Sequence, residues 1–241
     1  ETVYDLEAAG SLATYADLNP TAPFPDIHGA GAKPLLVASG LTHPLLPSGE
    51  AVRNSVTYEA TPSITLITGS NMSGKSTFLR AVGTAQVMAM AGGPVEAHAF
   101  QTAPFTLHTS MGIHDSLADG ISFFYAEVRR LGGIRRDVQK NRGPFLVLID
   151  EIFRGTNNRE RLLGSRAFLE SLASEDCIGL VATHDLELVS LGEEVGAFEN
   201  RHFREEVVDG RMVFDYVMHP GPCPTTNALK IMAAEGLPVP E

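Results

Sequence analysis

Cysteine is scarce in these 241 residues: only Cys177 and Cys223 occur, and they form no C-x-x-C pair. That argues against a disulfide or zinc framework and for a reducing, intracellular setting, so a cytoplasmic location is expected. Long apolar runs are missing as well. The most apolar stretch, Ala81 to Val95, is interrupted by Gly83, Gln86, Gly92, Gly93 and Pro94, which leaves it too short and too broken to span a bilayer. No cleavable signal segment is visible. Positive charge is in short supply: 18 Lys and Arg stand against 29 Asp and Glu, a formal net charge of −11. An acidic surface repels a phosphate backbone, so any grip on nucleic acid has to come from basic surface elsewhere. What remains, 44% hydrophobic and 20% charged residues, suits a globular chain with a sizeable core. The chain starts at Glu1 rather than Met, inside a helical pattern, and is expected to be a fragment of a longer protein.

The most informative stretch is Gly69-Ser-Asn-Met-Ser-Gly-Lys-Ser-Thr77. Gly69, Gly74, Lys75 and Ser76 fit G-x-x-x-x-G-K-[ST], Ser70, Asn71, Met72 and Ser73 fill the variable positions, and Thr77 follows. Ile64 to Thr68 reads as a buried strand before it, and Phe78 to Val82 as a helix after it. A strand, a glycine turn and a helix N-terminus together aim backbone N–H groups and a dipole at an anion. A glycine-rich turn without a ligand is the bland alternative, and the spacing favours nucleoside triphosphate binding.

Elsewhere the pattern is that of an α/β chain. Residues up to Leu18 suit a helix, and Pro20, Pro23, Pro25, Gly29, Gly31 and Pro34 mark a connector with a boundary near Lys33. Short strands are expected at Leu35 to Val37, within Thr57 to Thr68 and at Phe105 to Thr109, with Thr102 to Gly120 otherwise loop-like. Phe124, Val128, Leu131, Ile134 and Val138 recur on one helical face. Arg129, Arg130, Arg135, Arg136 and Lys140 occupy the other, which reads as a solvated face with an anion-binding strip as the alternative. Gly132-Gly133 is expected to weaken or bend that helix. Phe145 to Asp150 and Ile178 to Ala182 read as central parallel strands, with a helix through Leu162 to Leu172 between them. Residues 203–208 and 211–218 flank Asp209-Gly210 as a hairpin, and Thr226 to Glu235 suits a terminal helix.

A phosphate loop only holds a nucleotide; hydrolysis needs a metal ion and an activated water. Asp150-Glu151 closes an apolar strand, where a doubly wound sheet places residues that face a ligand. Asp150 with the Ser76 hydroxyl suits Mg2+, and Glu151 suits the general base. A capped turn is the alternative for such a pair. His184 ends the next strand on the same side of the sheet, in reach of a γ-phosphate, although a lone histidine is more often structural. Lys75, Glu151 and His184 are therefore the catalytic candidates. His98, His108 and His114 show no ligand spacing and read as structural or surface residues.

These residues carry a family resemblance. Thr68 to Arg80, with its distinguishing Asn71-Met72, resembles the phosphate loop of the MutS family of DNA mismatch-repair ATPases. Asp150-Glu-Ile-Phe-Arg-Gly-Thr156 looks like its Walker B segment, Ala182-Thr-His184 like its switch histidine, and Gly120 to Glu127 like its signature loop, with Ser122, Phe124 and Glu127 on the characteristic positions. His43-Pro44, Val52-Arg-Asn54, Asn200-Arg-His202 and Phe214-Asp-Tyr216 are similar to further segments, so the match runs from Leu36 to Pro238. The resemblance implies a P-loop NTPase of ABC type, α/β, with a mostly parallel central sheet flanked by helices. It implies residues 1–33 as a connector or remnant of a preceding helical lever domain, and 34–241 as the ATPase domain. It also implies an Mg2+-dependent ATPase in which two subunits sandwich ATP, Ser122 of one reaching the γ-phosphate held by the other. Ser122 is equally suited to a plain N-cap, and both roles can hold. The Arg154 to Asn158 segment would lie at the same interface. Asn54 and His202 would join the nucleotide contacts, and the ATP cycle would drive clamp movements of DNA-binding domains outside this chain, with no membrane contact by this part.

There are departures. The family's adenine-stacking aromatic aligns with Ala51 or Val52, Asn157 to Arg161 replace its usual residues, and a Ser-Tyr-Gly is missing near Thr226-Asn227. The mismatch-binding, clamp and lever domains and the dimerising extension fall outside these residues. A MutS-like switch in recombination control, or in a membrane-tethered role, is therefore the alternative function. A transporter-type ATPase is set aside because no L-S-G-G-Q-like segment occurs.

Overall fold

The computed structural model describes residues 2–29, 35–47, 49–112, 123–141, 143–153, 156–208, 211–224 and 238. Six strands form the main sheet, in the order β10-β9-β4-β8-β7-β6: β4 (Ser63–Thr68), β6 (Thr106–Ser110), β7 (Phe145–Asp150), β8 (Cys177–Ala182), β9 (Phe198–Val208) and β10 (Arg211–Pro220). Every pairing in it is parallel except β9 with β10, the hairpin expected around Asp209-Gly210. A second sheet has the order β1-β5-β2-β3, from β1 (Asp26–Ile27), β2 (Leu36–Leu41), β3 (Asn54–Tyr58) and β5 (Ala99–Thr102). The helices are α1 (Thr2–Leu18), α2 (Lys75–Met90), α3 (Phe123–Lys140), α4 (Asn158–Leu172) and the short α5 (Leu191–Glu194), which follows a 3-10 turn at Leu186–Ser190. This is the α/β, P-loop NTPase architecture expected from the sequence.

The unbroken apolar runs follow from burial on both faces of the main sheet. Along β7, Leu146 and Leu148 pack into a cluster with Phe78, Leu79 and Val82 of α2 and with the second sheet. Phe145, Val147 and Ile149 point the other way, onto Leu131, Ile134 and Val138 of α3 and Phe168, Leu169 and Leu172 of α4. α2 therefore lies sandwiched between the two sheets, and the loop that precedes it is held from both sides.

Several elements differ from expectation. β2 extends to Leu41, where only Leu35 to Val37 was legible, and β5 lies in a stretch given no strand. α4 starts at Asn158, four residues before the apolar pattern, because Asn157 caps it by accepting the Glu160 N–H at 3.0 Å. α3 runs through Gly132-Gly133, and Phe124 and Val128 in its N-terminal part remain 36% exposed. Its arginines are exposed as expected, though Arg130 Nε also donates to Thr109 O at 2.8 Å. α1 buries none of its residues, while the segment after it is stitched to the ATPase fold: Val95 N donates to Pro23 O, and β1 pairs with β5. The expected helix at Thr226 to Glu235 lies outside the described residues.

Candidate active site

β4, β8 and β7 end together. Ile67 is level with Ala182, and Ala182 with Asp150. The ladder carries on past the strands, Thr183 N donating to Ile67 O and Glu151 N to Ala182 O, both at 2.9 Å. The 69–77 loop, the Asp150-Glu151 pair and His184 thus share the carboxyl edge of the sheet, the usual place for a ligand in such folds.

The loop can take its path only with glycine at its two fixed positions. Gly69 has φ 139°, and a Cβ there would sit 2.4 Å from Phe203 O of β9; Gly74, preceding the first turn of α2, has φ 113°. Ser73 Oγ donates to Ser70 O at 2.8 Å, and Ser70 Oγ donates to Glu205 Oε2 at 2.7 Å. Lys75, only 5% exposed, donates from Nζ to the carbonyls of Gly69 (2.7 Å) and Ser70 (2.6 Å). Burial pushes its pKa below the ordinary lysine range, opposed by the negative charges of Glu151, Asp150 and Glu205. Asn71 and Met72 form the exposed tip, Met72 in the left-handed region at φ 68°, and Ser76 and Thr77 are half-buried in the first turn of α2.

Across the edge, Glu151 also has positive φ (62°), a strained conformation for a non-glycine residue. His184 Nδ1 lies 3.4 Å from Glu151 Oε1, with the histidine about half exposed and the carboxylate mostly covered. The neighbouring segment is braced by Glu127 of α3, a carboxylate 2% exposed whose Oε1 accepts the Phe153 N–H at 2.6 Å. Among the described residues no group of three or more His, Cys, Asp and Glu could hold a metal ion by itself. A phosphate-loop Mg2+ needs none, since it is held by a hydroxyl and a carboxylate together with phosphate oxygens and waters. Three carboxylates acting on one ammonium make an anionic site that such a cation suits, and Ser76 and Asp150 are the residues that could hold it.

Asn54 and His202 have side-chain polar atoms engaged away from the loop. The Asn54 carboxamide is committed to β10: Nδ2 donates to Tyr216 O at 3.0 Å and Oδ1 accepts Met218 N–H at 2.7 Å. His202 is 7% exposed, stacked on His219 and bonded through Nδ1 to Gly221 O at 2.9 Å. A cavity of about 390 Å³ adjoins the loop, lined by Asn54, Val52, Met72, Gly74, Thr77 and Tyr216 among others, and His202 does not line it. Ser122 lies outside the described residues, as do Arg154 and Gly155. Glu205 and the brace made by Glu127 were not assigned from sequence. Glu127 carried a signal, its place in the signature-like segment, whereas Glu205 sits in a strand with nothing around it to mark a role.

Residues 65–240 match the family profile of MutS domain V. The DNA mismatch repair protein MutS of an Exiguobacterium species is 35% identical over 198 residues, 80% of this chain and 23% of that protein. The protein of the same name from Thermus aquaticus is 34% identical over 181 residues, 75% of this chain and 22% of its own length. The one from Natronomonas pharaonis is 30% identical over 241 residues, 98% of this chain and 27% of its length. The chain thus spans about a quarter of the curated relatives it matches. With loop, acidic strand end and histidine gathered on one sheet edge, and with domain V matched over most of its length, the chain belongs to the MutS family.

Proposed function

We propose that this chain is the ATP-binding and ATP-hydrolysing module of a DNA mismatch repair protein. The observation that carries the reading is the meeting of the Lys75 ammonium, Asp150 and the Glu151–His184 pair on one edge of a parallel sheet. In it, the N–H groups of the 69–76 loop and the N-terminus of α2 receive the phosphates, and Lys75 exchanges its two carbonyl acceptors for phosphate oxygens. Mg2+, held by Ser76 and Asp150, supplies charge neutralisation of the triphosphate when bound. Glu151 takes a proton from water as the water oxygen bonds to the γ-phosphorus; the bond from that phosphorus to the β,γ-bridging oxygen breaks, and ADP and phosphate leave. His184 holds the Glu151 carboxylate in place and is near enough to the edge to meet the γ-phosphate.

Clamp movements and DNA contacts belong, in this reading, to parts of the protein beyond these residues, in keeping with the net charge of −11. A second copy completes each site through Ser122, a role that rests on the motif. Turnover of Mg-ATP by the purified chain, measured alongside Lys75→Ala and Glu151→Gln, tests the proposal. Lys75→Ala is expected to lose nucleotide binding. Glu151→Gln is expected to bind normally and to hydrolyse at least a hundredfold more slowly, on the scale of general-base losses of roughly 10²–10⁴. Wild-type turnover by Lys75→Ala would sink the assignment. Turnover rising more steeply than protein concentration is the mark of the shared site.

A further inference from the structure

The phosphate loop has a carboxylate built in beside it. β4 is paired with β9 up to Thr68 and His202, and β9 then runs on past the end of β4. Side chains alternate along a strand, so residues 203 and 205 share a face. Phe203 fills its place in the core against Phe78 of α2, with 6.2 Å between ring centroids, while Arg204 and Glu206 are exposed on the other face. The inward position at 205 suits an apolar residue, yet it holds a glutamate that is 6% exposed. Burying a carboxylate costs free energy that an apolar side chain would not.

The backbone there has little freedom to carry the charge away. Glu205 is level with Phe214, the last regular pair before the register of β10 on β9 slips between Phe214 and Met218. The slip makes a pinned bulge. Tyr216 takes φ 55°, Asn54 bonds to Tyr216 O and Met218 N, and Asp215 Oδ1 accepts the Val217 N–H at 3.0 Å.

Glu205 meets the loop at Ser70, where the loop's own bonds converge. Ser70 Oγ donates to Glu205 Oε2 at 2.7 Å, while Ser70 O accepts from Lys75 Nζ at 2.6 Å and from Ser73 Oγ at 2.8 Å. The carboxylate charge also reaches the Lys75 ammonium, beside those of Glu151 and Asp150. Asp150 and Glu151 have parts in metal binding and hydrolysis; Glu205 has no such part. A loop that gathers an anion with N–H groups and a helix dipole is opposed by a fixed negative charge, the more so when burial keeps water from screening it. That charge attracts Lys75 where it lies on its own loop carbonyls, and it repels phosphates that enter.

On the reading of the 69–77 loop as a nucleotide site, we propose that Glu205 sets the affinity of that site: its buried charge, hydrogen-bonded to Ser70, weakens the hold on the phosphates and speeds the release of ADP. It is a positioning residue and touches no substrate atom. It keeps Ser70 and Lys75 in the self-bonded arrangement to which the emptied loop returns.

Calorimetric titration of the full chain with Mg-ATP, Mg-ADP and Mg-tripolyphosphate tests this, together with stopped-flow release of a fluorescent ADP analogue. Glu205→Gln keeps an oxygen for the Ser70 hydroxyl and loses the charge. It is expected to bind all three ligands about three- to tenfold more tightly, the effect of one partly screened unit charge, and to release the ADP analogue more slowly by a similar factor. Glu205→Leu, which suits the core beside Phe203, removes charge and bond together and also binds more tightly than the wild type. Glu206→Gln, on the exposed face, changes neither affinity nor release, because an exposed charge is screened. Glu205→Gln with wild-type affinity overturns the proposal, and so does weaker binding, the result that loss of a mere structural support would give. An equal gain in Glu206→Gln overturns it too, by tracing the effect to net charge. A wild type that binds none of the three ligands removes the nucleotide reading as well.

Discussion

Replacing Gly69 by Ala puts the geometry of the phosphate loop to a quantitative test. Gly69 has φ 139°, outside the regions open to an L-residue, and forcing alanine there costs about 1–3 kcal/mol. The new Cβ would lie 2.4 Å from Phe203 O, where real contacts stay beyond 3.0 Å, so something has to move by about 0.6 Å. The carbonyl belongs to β9, which is paired with β4 through Thr68 and His202, and a strand held in register yields little. Overpacking of this kind costs roughly a further 1–3 kcal/mol. The sum, about 2–6 kcal/mol, is a large part of a typical domain's roughly 5–15 kcal/mol. If the loop gives way instead, the Gly69 and Ser70 carbonyls leave Lys75, and the loss appears as nucleotide affinity.

Gly74→Ala is the internal control. Its φ of 113° carries the conformational cost, but its Cβ would meet nothing closer than 3.5 Å, so about 1–3 kcal/mol is expected. Urea unfolding of both variants, with ATP titration of each, makes the comparison. Equal destabilisation of the two, or a Gly69→Ala protein with unchanged stability and affinity, would refute the packing argument.

Two more predictions concern the supports of the site. Glu127→Leu leaves the Phe153 N–H without its 2.6 Å acceptor, which is expected to cost about 1–3 kcal/mol and to slow hydrolysis by shifting the segment next to Glu151, whereas Glu127→Gln keeps an oxygen there and much of the activity. Unfolding and single-turnover measurements check this; indistinguishable Leu and Gln variants would count against the brace. For Asp215, burial raises the carboxyl pKa but is outweighed by His219, the Val217 N–H and Arg204, which hold it below its usual 3.8. A depressed carboxyl pKa adds stability that is present above pH 3.8 and is lost as pH falls through the folded value. Asp215→Asn should therefore flatten the acid limb of the stability profile below about pH 4 by roughly 1 kcal/mol or less, since the side chain is 31% exposed and partly screened. An unchanged acid limb would show that the bulge at Tyr216 does not depend on this charge.

What could be read from the chain alone is what is local. The phosphate loop, the apolar strands ending at Asp150 and Ala182 and the histidine after them each follow from short-range spacing, and parallel strands buried on both faces need continuous apolar runs. The start of α4 was legible in principle from Asn157 and Glu160, but the apolar pattern that marked the helix begins only at Leu162. β5 was hidden because four residues, two of them buried, are too few to mark a strand period in the sequence. Tertiary structure alone decided the rest. Glu205 meets Ser70 across 135 residues of chain, Asn54 meets Tyr216 across 162, and Glu127 meets Phe153 across 26. These pairs depend on strand order and on a slip of register in β10, which composition and periodicity leave open. The physical reason is range: a motif records what a few consecutive peptide groups can do to a phosphate. The partners that hold those groups in place are chosen by packing between elements far apart in sequence.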